Sequence, residues 1–157
     1  TFTGRSSQCI ESAVDEIVEG MFGLTQSFDE FYEQAGIDYD WAKKRGAGPF
    51  LRGATVFEDA VKMLATTNCS WSLTRQMITR LVQELGETSL SGSRAFPTPE
   101  AMARRPVEFY RDVIRAGYRS TFFHQFAKAV SQGEVDVESW RFFEGSTEDL
   151  VKQIRSM

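Results

Sequence analysis

Few side chains here have the types and spacing that do chemistry. The single histidine, His124, sits between Phe123 and Gln125 on an aromatic stretch and reads as a satisfied structural histidine. One histidine and two distant cysteines, Cys9 and Cys69, cannot supply a zinc site of the usual ligand set, and no metal or cofactor is expected. No glycine-rich phosphate loop is present, which argues against a nucleotide-binding domain. The carboxylates fall in the acidic outer segments without a recurring pattern and read as solvated faces. Cys69 could act as a nucleophile, but no base accompanies it in the sequence. More informative are two polar interruptions between well-patterned helices: Thr66-Thr67-Asn68-Cys69-Ser70-Trp71 and Ala116-Gly117-Tyr118-Arg119. Gly117 can take the positive φ of a helix stop, leaving Tyr118 and Arg119 at the start of the next element. A phenol ring beside a guanidinium suits stacking on a base and hydrogen bonding to its edge or to phosphate.

The elements that must position these residues are helical. Ile10, Val14, Ile17, Val18 and Met21 make one apolar stripe that closes near Gly23. Ser27 to Glu30 reads as a capping box for a short helix ending at Gly36, and Asp38 to Arg45 as one or two further turns. After the Gly46-to-Pro49 loop, Thr55 to Glu58 is a second capping box, whose helix turns Phe57, Ala60, Val61 and Leu64 inward. A longer helix runs from about Trp71 to Leu85, with Met77, Ile78, Leu81, Val82 and Leu85 inside and Gly86 as its stop. A serine- and glycine-rich loop, 87–96, precedes Thr98 and Pro99, an N-cap and first helical position. Pro106 restarts a helix carrying Tyr110, Val113 and Ile114 as far as Gly117. The next holds Phe122, Phe123, Phe126, Ala127 and Val130 and closes at Gly133. Short helices follow around Trp140 and from Ser146 onward. No segment shows period-two alternation. The expected fold is all-α, a compact orthogonal bundle of about eight or nine short helices, with N-terminal helices over 1–46 and a central helical subdomain over 50–157.

The chain has 157 residues, enough for one ordinary domain, and 41% hydrophobic residues can build its core. No stretch approaches the roughly 20 uncharged apolar residues that a membrane helix needs. The polar start, Thr1 to Gln8, is unlike a secretory signal, and two cysteines fit a reducing cytosol. Net charge is −4, but it is uneven: −8 over residues 1–40, +7 over 41–128 and −3 over 129–157. A basic centre between acidic ends suits one positive face. The apolar pattern still runs at Met157 and the chain starts on Thr1, so a piece of a longer protein is expected.

Together these residues resemble a known family. Leu51-Arg52-Gly53-Ala54-Thr55-Val56-Phe57-Glu58, the helix after it, and Thr66 to Trp71 are similar to the helix-hairpin-helix DNA glycosylase superfamily, in its 3-methyladenine/8-oxoguanine branch. The likeness continues through Arg80-Leu81-Val82, Ala95 to Ala101, Ala116 to Arg119, Ala127 to Val130, Gly133 to Asp136 and Trp140. Upstream, Met21-Phe22-Gly23-Leu24 with Phe31-Tyr32 is similar to the start of that family's helical core, so the resemblance spans roughly residues 10–155.

The resemblance implies base excision. The family flips a damaged nucleotide out of duplex DNA, at a few kcal/mol of lost stacking and pairing, and water then attacks the sugar. By position, Asn68 corresponds to the residue that enters the stack, Tyr118 to a second wedge and Arg119 to a contact with the unpaired partner base. Thr67 and Gly117 complete the DNA-binding candidates, and Trp71 faces the lesion pocket. The family's hairpin and catalytic aspartate would fall just after the last helix, so no catalytic residue is expected within this chain, which would then be inactive by itself. Leu73 stands where the cytosine-reading branch carries an arginine, a departure that bears on specificity for oxidised guanine. The implied partner is duplex DNA containing a damaged base, in a bacterial nucleoid-associated (cytoplasmic) or nuclear setting, without a membrane. Homo-oligomerisation through truncation-exposed surface is a further expectation. The alternative is a non-catalytic helical module that binds protein or DNA.

Overall fold

The computed structural model describes residues 3–48 and 50–155, and their side chains apart from those of residues 3–10 and 37. The expectations for Cys9, Ile10, Pro49 and Met157 lie outside the described side chains. Among the described residues the fold is all-α, with nine α-helices and an isolated antiparallel bridge between Thr88 and Arg94. The chain forms two compact units, Thr1–Ala54 and Thr55–Met157.

The first unit holds α1 (Thr3–Phe22), α2 (Asp29–Ala35) and α3 (Asp40–Arg45), the last entered through a 3₁₀ turn over Ile37–Tyr39. α1 stops at Gly23, as its pattern predicts; of its stripe Val14, Ile17 and Val18 are exposed and Met21 is half-buried. The expected capping box at Ser27 does not form. The Ser27 hydroxyl accepts instead from the Asp29 amide (3.3 Å), and α2 has no side-chain cap. Ala42 is the buried hydrophobic residue of this unit among those described.

The second unit contains the core. α4 (Val56–Thr66) and α5 (Trp71–Leu85) start on hydroxyl caps, with Thr55 accepting from the Glu58 amide and Ser70 from that of Leu73. Glu138, from the 3₁₀ turn Glu138–Phe142, adds a carboxylate that accepts from the Val56 and Phe57 amides, each at 3.0 Å. Donors that an N-terminus would otherwise leave orphaned are thereby satisfied, and an anion sits at the positive end of the helix. Gly86 ends α5 with an ordinary φ. Its reason for being glycine is space, since a Cβ would collide with the Ala95 carbonyl oxygen and lie 2.5 Å from that of Val82.

α6 (Pro99–Ala103) begins on the Thr98 cap, as expected. The helix expected from Pro106 to Gly117 is shorter and irregular. α7 (Val107–Phe109) passes into a π turn over Tyr110–Ile114, which stops at Arg115 with φ +61°. α8 (Arg119–Ser131) follows, and α9 (Thr147–Arg155) is capped by Ser146, which accepts from the Asp149 amide at 3.2 Å. Val61, Leu81, Met102, Tyr110, Ile114, Phe123 and Ala127 are fully buried together, so α4, α5, α6, the π turn and α8 share one core. Val113 and Phe122, among the apolar residues of their segments, are exposed; the π turn shifts the register of the first, and Phe123 takes the inward position beside the second.

Candidate nucleic-acid interface

The two polar interruptions, about fifty residues apart in sequence, meet on one surface of the second unit. In the first, Thr67 closes α4 and Asn68 takes φ +45°, a left-handed conformation that a short amide side chain tolerates. In the second, Arg115 and Gly117 (φ +61° at each) bracket the buried Ala116, and Tyr118 leads into α8. The Arg80 guanidinium reaches from α5 to the Ile114 carbonyl at 3.1 Å, and the Ala116 amide donates to the Tyr110 carbonyl at 2.9 Å. These bonds fix the turn from which Tyr118 projects.

Thr67 is the hub between the two kinks. Its hydroxyl donates to the Leu64 carbonyl (2.9 Å), lies 3.3 Å from the Tyr118 hydroxyl and accepts from Arg119 Nε (3.0 Å). Because the Thr67 proton is committed to Leu64, the phenol donates toward Thr67, whose carbonyl oxygen also lies within 3.4 Å. The Asn68 amide in turn donates to the phenol oxygen at 3.3 Å. Tyr118 is 56% exposed, and Asn68 is also exposed, so an amide and a phenol stand side by side at the surface. The Tyr118 hydroxyl is held below the ordinary phenol range. The hydrogen bond with Thr67, whose hydroxyl can turn toward a phenolate, contributes first, then the Asn68 amide, then the nearby Arg119 charge.

Arg119 departs from the sequence expectation. It is only 6% exposed and lies behind the platform, with its guanidinium carbon 4.5 Å from the centre of the Tyr118 ring. Nη1 reaches the Ala116 carbonyl at 3.5 Å, whereas Nη2 is buried without a protein partner among the described residues. A side chain so enclosed does not project into solvent; it lies against the exposed Tyr118 ring. Arg119 opens α8, as its place after Gly117 predicts, but its burial depends on packing against the α4–α5 kink, which periodicity does not show.

Trp71 also sits apart from the cluster. It is 70% exposed at the head of α5, where an open groove of about 420 Å³ runs past Arg75, Gln76, Thr79, Arg80 and Gln83. Gly117 contributes backbone only: its carbonyl accepts from the Ser120 hydroxyl at 2.6 Å. Cys69 is occupied structurally, with its sulfur 3.1 Å from the Ala65 carbonyl and 3.2 Å from the Thr74 hydroxyl. His124 is not the satisfied histidine expected, since its Nδ1 is buried without a protein partner among the described residues. Arg75 and Arg115 are exposed and pair with no described carboxylate, although the second unit as a whole carries as many acids as bases.

The helical fold that carries these two kinks is shared with solved structures of 8-oxoguanine and 3-methyladenine DNA glycosylases. The sequence matches no protein-family model and no curated protein. The likeness is one of structure. MBOgg1, solved with a low-affinity DNA ligand, aligns at a TM-score of 0.70 and 22% identity over 88% of this chain and 48% of that one. The 8-oxoguanine glycosylase/lyase of Clostridium acetobutylicum, solved with double-stranded DNA containing cytosine opposite 8-oxoG, aligns at 0.69 and 16% identity over 85% of this chain and 47% of that one. The 3-methyladenine DNA-glycosylase of Archaeoglobus fulgidus aligns at 0.67 and 20% identity over 100% of this chain and 53% of that one. The chain therefore spans about half the length of the solved structures it resembles.

Proposed function

We propose that this chain is the DNA-distorting helical portion of a base-excision glycosylase, in which Asn68 and Tyr118 fill the space vacated by a damaged base flipped out of a duplex. The observation that carries the reading is the convergence of these two exposed side chains, joined by a 3.3 Å hydrogen bond, from kinks fifty positions apart. An extruded base leaves a gap of one stacked layer. A phenol ring can stack against the neighbouring bases, and an amide can hydrogen-bond to a base edge that has lost its partner. Arg75 and Arg115 supply positive charge for the phosphates. No hydrolytic step is assigned to residues of this chain; excision belongs to the reading of the whole protein, in the compartment that holds its DNA, bacterial nucleoid or nucleus.

Duplex binding measured by fluorescence anisotropy, with an abasic-site analogue at the centre, tests the reading. Tyr118→Ala is expected to weaken binding about tenfold or more, the order of one lost base–aromatic stack. Asn68→Gly, which keeps the left-handed backbone and removes the amide, should weaken it as well. Affinity should also fall steeply with salt. Salt-insensitive binding, or wild-type affinity in both variants, overturns the proposal in favour of a protein-binding helical module.

A further inference from the structure

We infer that Arg119 is a positioning residue held at the expense of fold stability: its buried guanidinium locks Thr67 and Tyr118 into one rigid platform, and no described carboxylate pairs with its charge. The inference deepens the proposed reading and rests on it for the purpose of the platform.

The geometry sets Arg119 apart from the other described arginines. It is more than nine-tenths buried, yet no described carboxylate forms an ion pair with it, and its polar contacts are two neutral oxygens. Taking a cation out of water without a compensating anion is unfavourable, and neutral acceptors return only part of the lost hydration. The rest of the site does not need the charge in order to be satisfied. The Thr67 hydroxyl keeps its bond to Leu64 and its contact with the phenol, and the Ala116 carbonyl still accepts the Arg119 backbone amide at 3.2 Å. An apolar side chain of the same length would therefore leave no acceptor stranded.

What the guanidinium does supply is order. One end is tied to the α4–α5 kink through Thr67, and its guanidinium carbon lies over the Tyr118 ring of the other kink. An exposed tyrosine otherwise samples several rotamers, and fixing it before DNA arrives removes that ordering from the free energy of binding. The hydrogen bonds with Thr67 and then Asn68 lower the phenol pKa most and the Arg119 charge adds a smaller share, while burial and then Cys69 act in the opposite direction. A polyanion approaching the platform supplies the field that the buried cation lacks in the free protein.

Arg119→Met, made in the full chain, provides the test through three measurements. The melting temperature is expected to rise by about 3 °C, because the uncompensated charge is gone. The Tyr118 phenol, followed by ultraviolet difference titration against Tyr118→Phe, should titrate at higher pH. Affinity for the abasic duplex should drop about tenfold, as expected when an ordered side chain is released. A lower melting temperature, or an unfolded variant, overturns the stability claim. Thr67→Val then judges the positioning claim separately: it should raise the Tyr118 titration and weaken duplex binding, and Thr67→Ser should restore both. An unmoved phenol titration in Arg119→Met and Thr67→Val overturns the positioning role. Melting and phenol titration need no DNA, so a wild-type chain that fails to bind duplex sinks the glycosylase reading without deciding this one.

Discussion

At the scale of single residues, the site is a problem in conformational choice. Asn68 has two functions that the sequence presents as one letter: a left-handed backbone that turns α4 into α5, and an amide that donates to Tyr118. The two can be separated. Asn68→Gly is expected to leave stability within a few tenths of a kcal/mol, because glycine adopts positive φ readily, whereas Asn68→Ala should cost about 1 kcal/mol, because alanine lacks the short polar side chain that lets asparagine tolerate that region. Urea denaturation of the two variants checks this, and equal stability would show that the kink relaxes around alanine. That Asn68 and Tyr118 are polar, turn-forming and placed between helices was legible from residue types. That Thr67 ties them together was not, because a threonine before an asparagine reads as an ordinary helix end.

At the scale of elements, most helix boundaries follow from caps and stops written locally. Thr55, Ser70, Thr98 and Ser146 each accept an amide proton three residues on, as their spacing predicts. The departures come from partners far along the chain. Glu138 caps α4 from more than eighty residues away, and Arg80 finishes the π turn that replaces a regular helix after Phe109. Glu138→Ala is expected to lower unfolding free energy by about 1–2 kcal/mol, since two carboxylate-accepted bonds at a helix N-terminus are lost together. Glu138→Gln, with one acceptor oxygen in place of two, should fall between. Wild-type stability in the alanine variant would show that water replaces both bonds at no cost.

At the scale of the molecule, the two units differ in what holds them. The second encloses a continuous core from Phe57 to Val137, while the first buries one described hydrophobic side chain, Ala42. Amide exchange should reflect this. The slowest protons are expected on α5 and α8 around Leu81, Phe123 and Ala127, approaching the global unfolding free energy, and those of α1 should exchange through local opening. Equal protection of α1 and α5 would mean that the stripe of Val14, Ile17 and Val18 is covered in solution. The sequence by itself determined the helical class, nearly every boundary that rests on a cap within four residues, and the two polar kinks, because these depend on interactions between near neighbours. Burial was decided only in three dimensions. The burial of Arg119 and the exposure of Val113 and of most of the α1 stripe were not legible, because whether a side chain meets solvent depends on segments remote in sequence. The meeting of Asn68 with Tyr118 depends on the same packing: α4, α5 and α8 must first share a core before two turns fifty residues apart can become one surface.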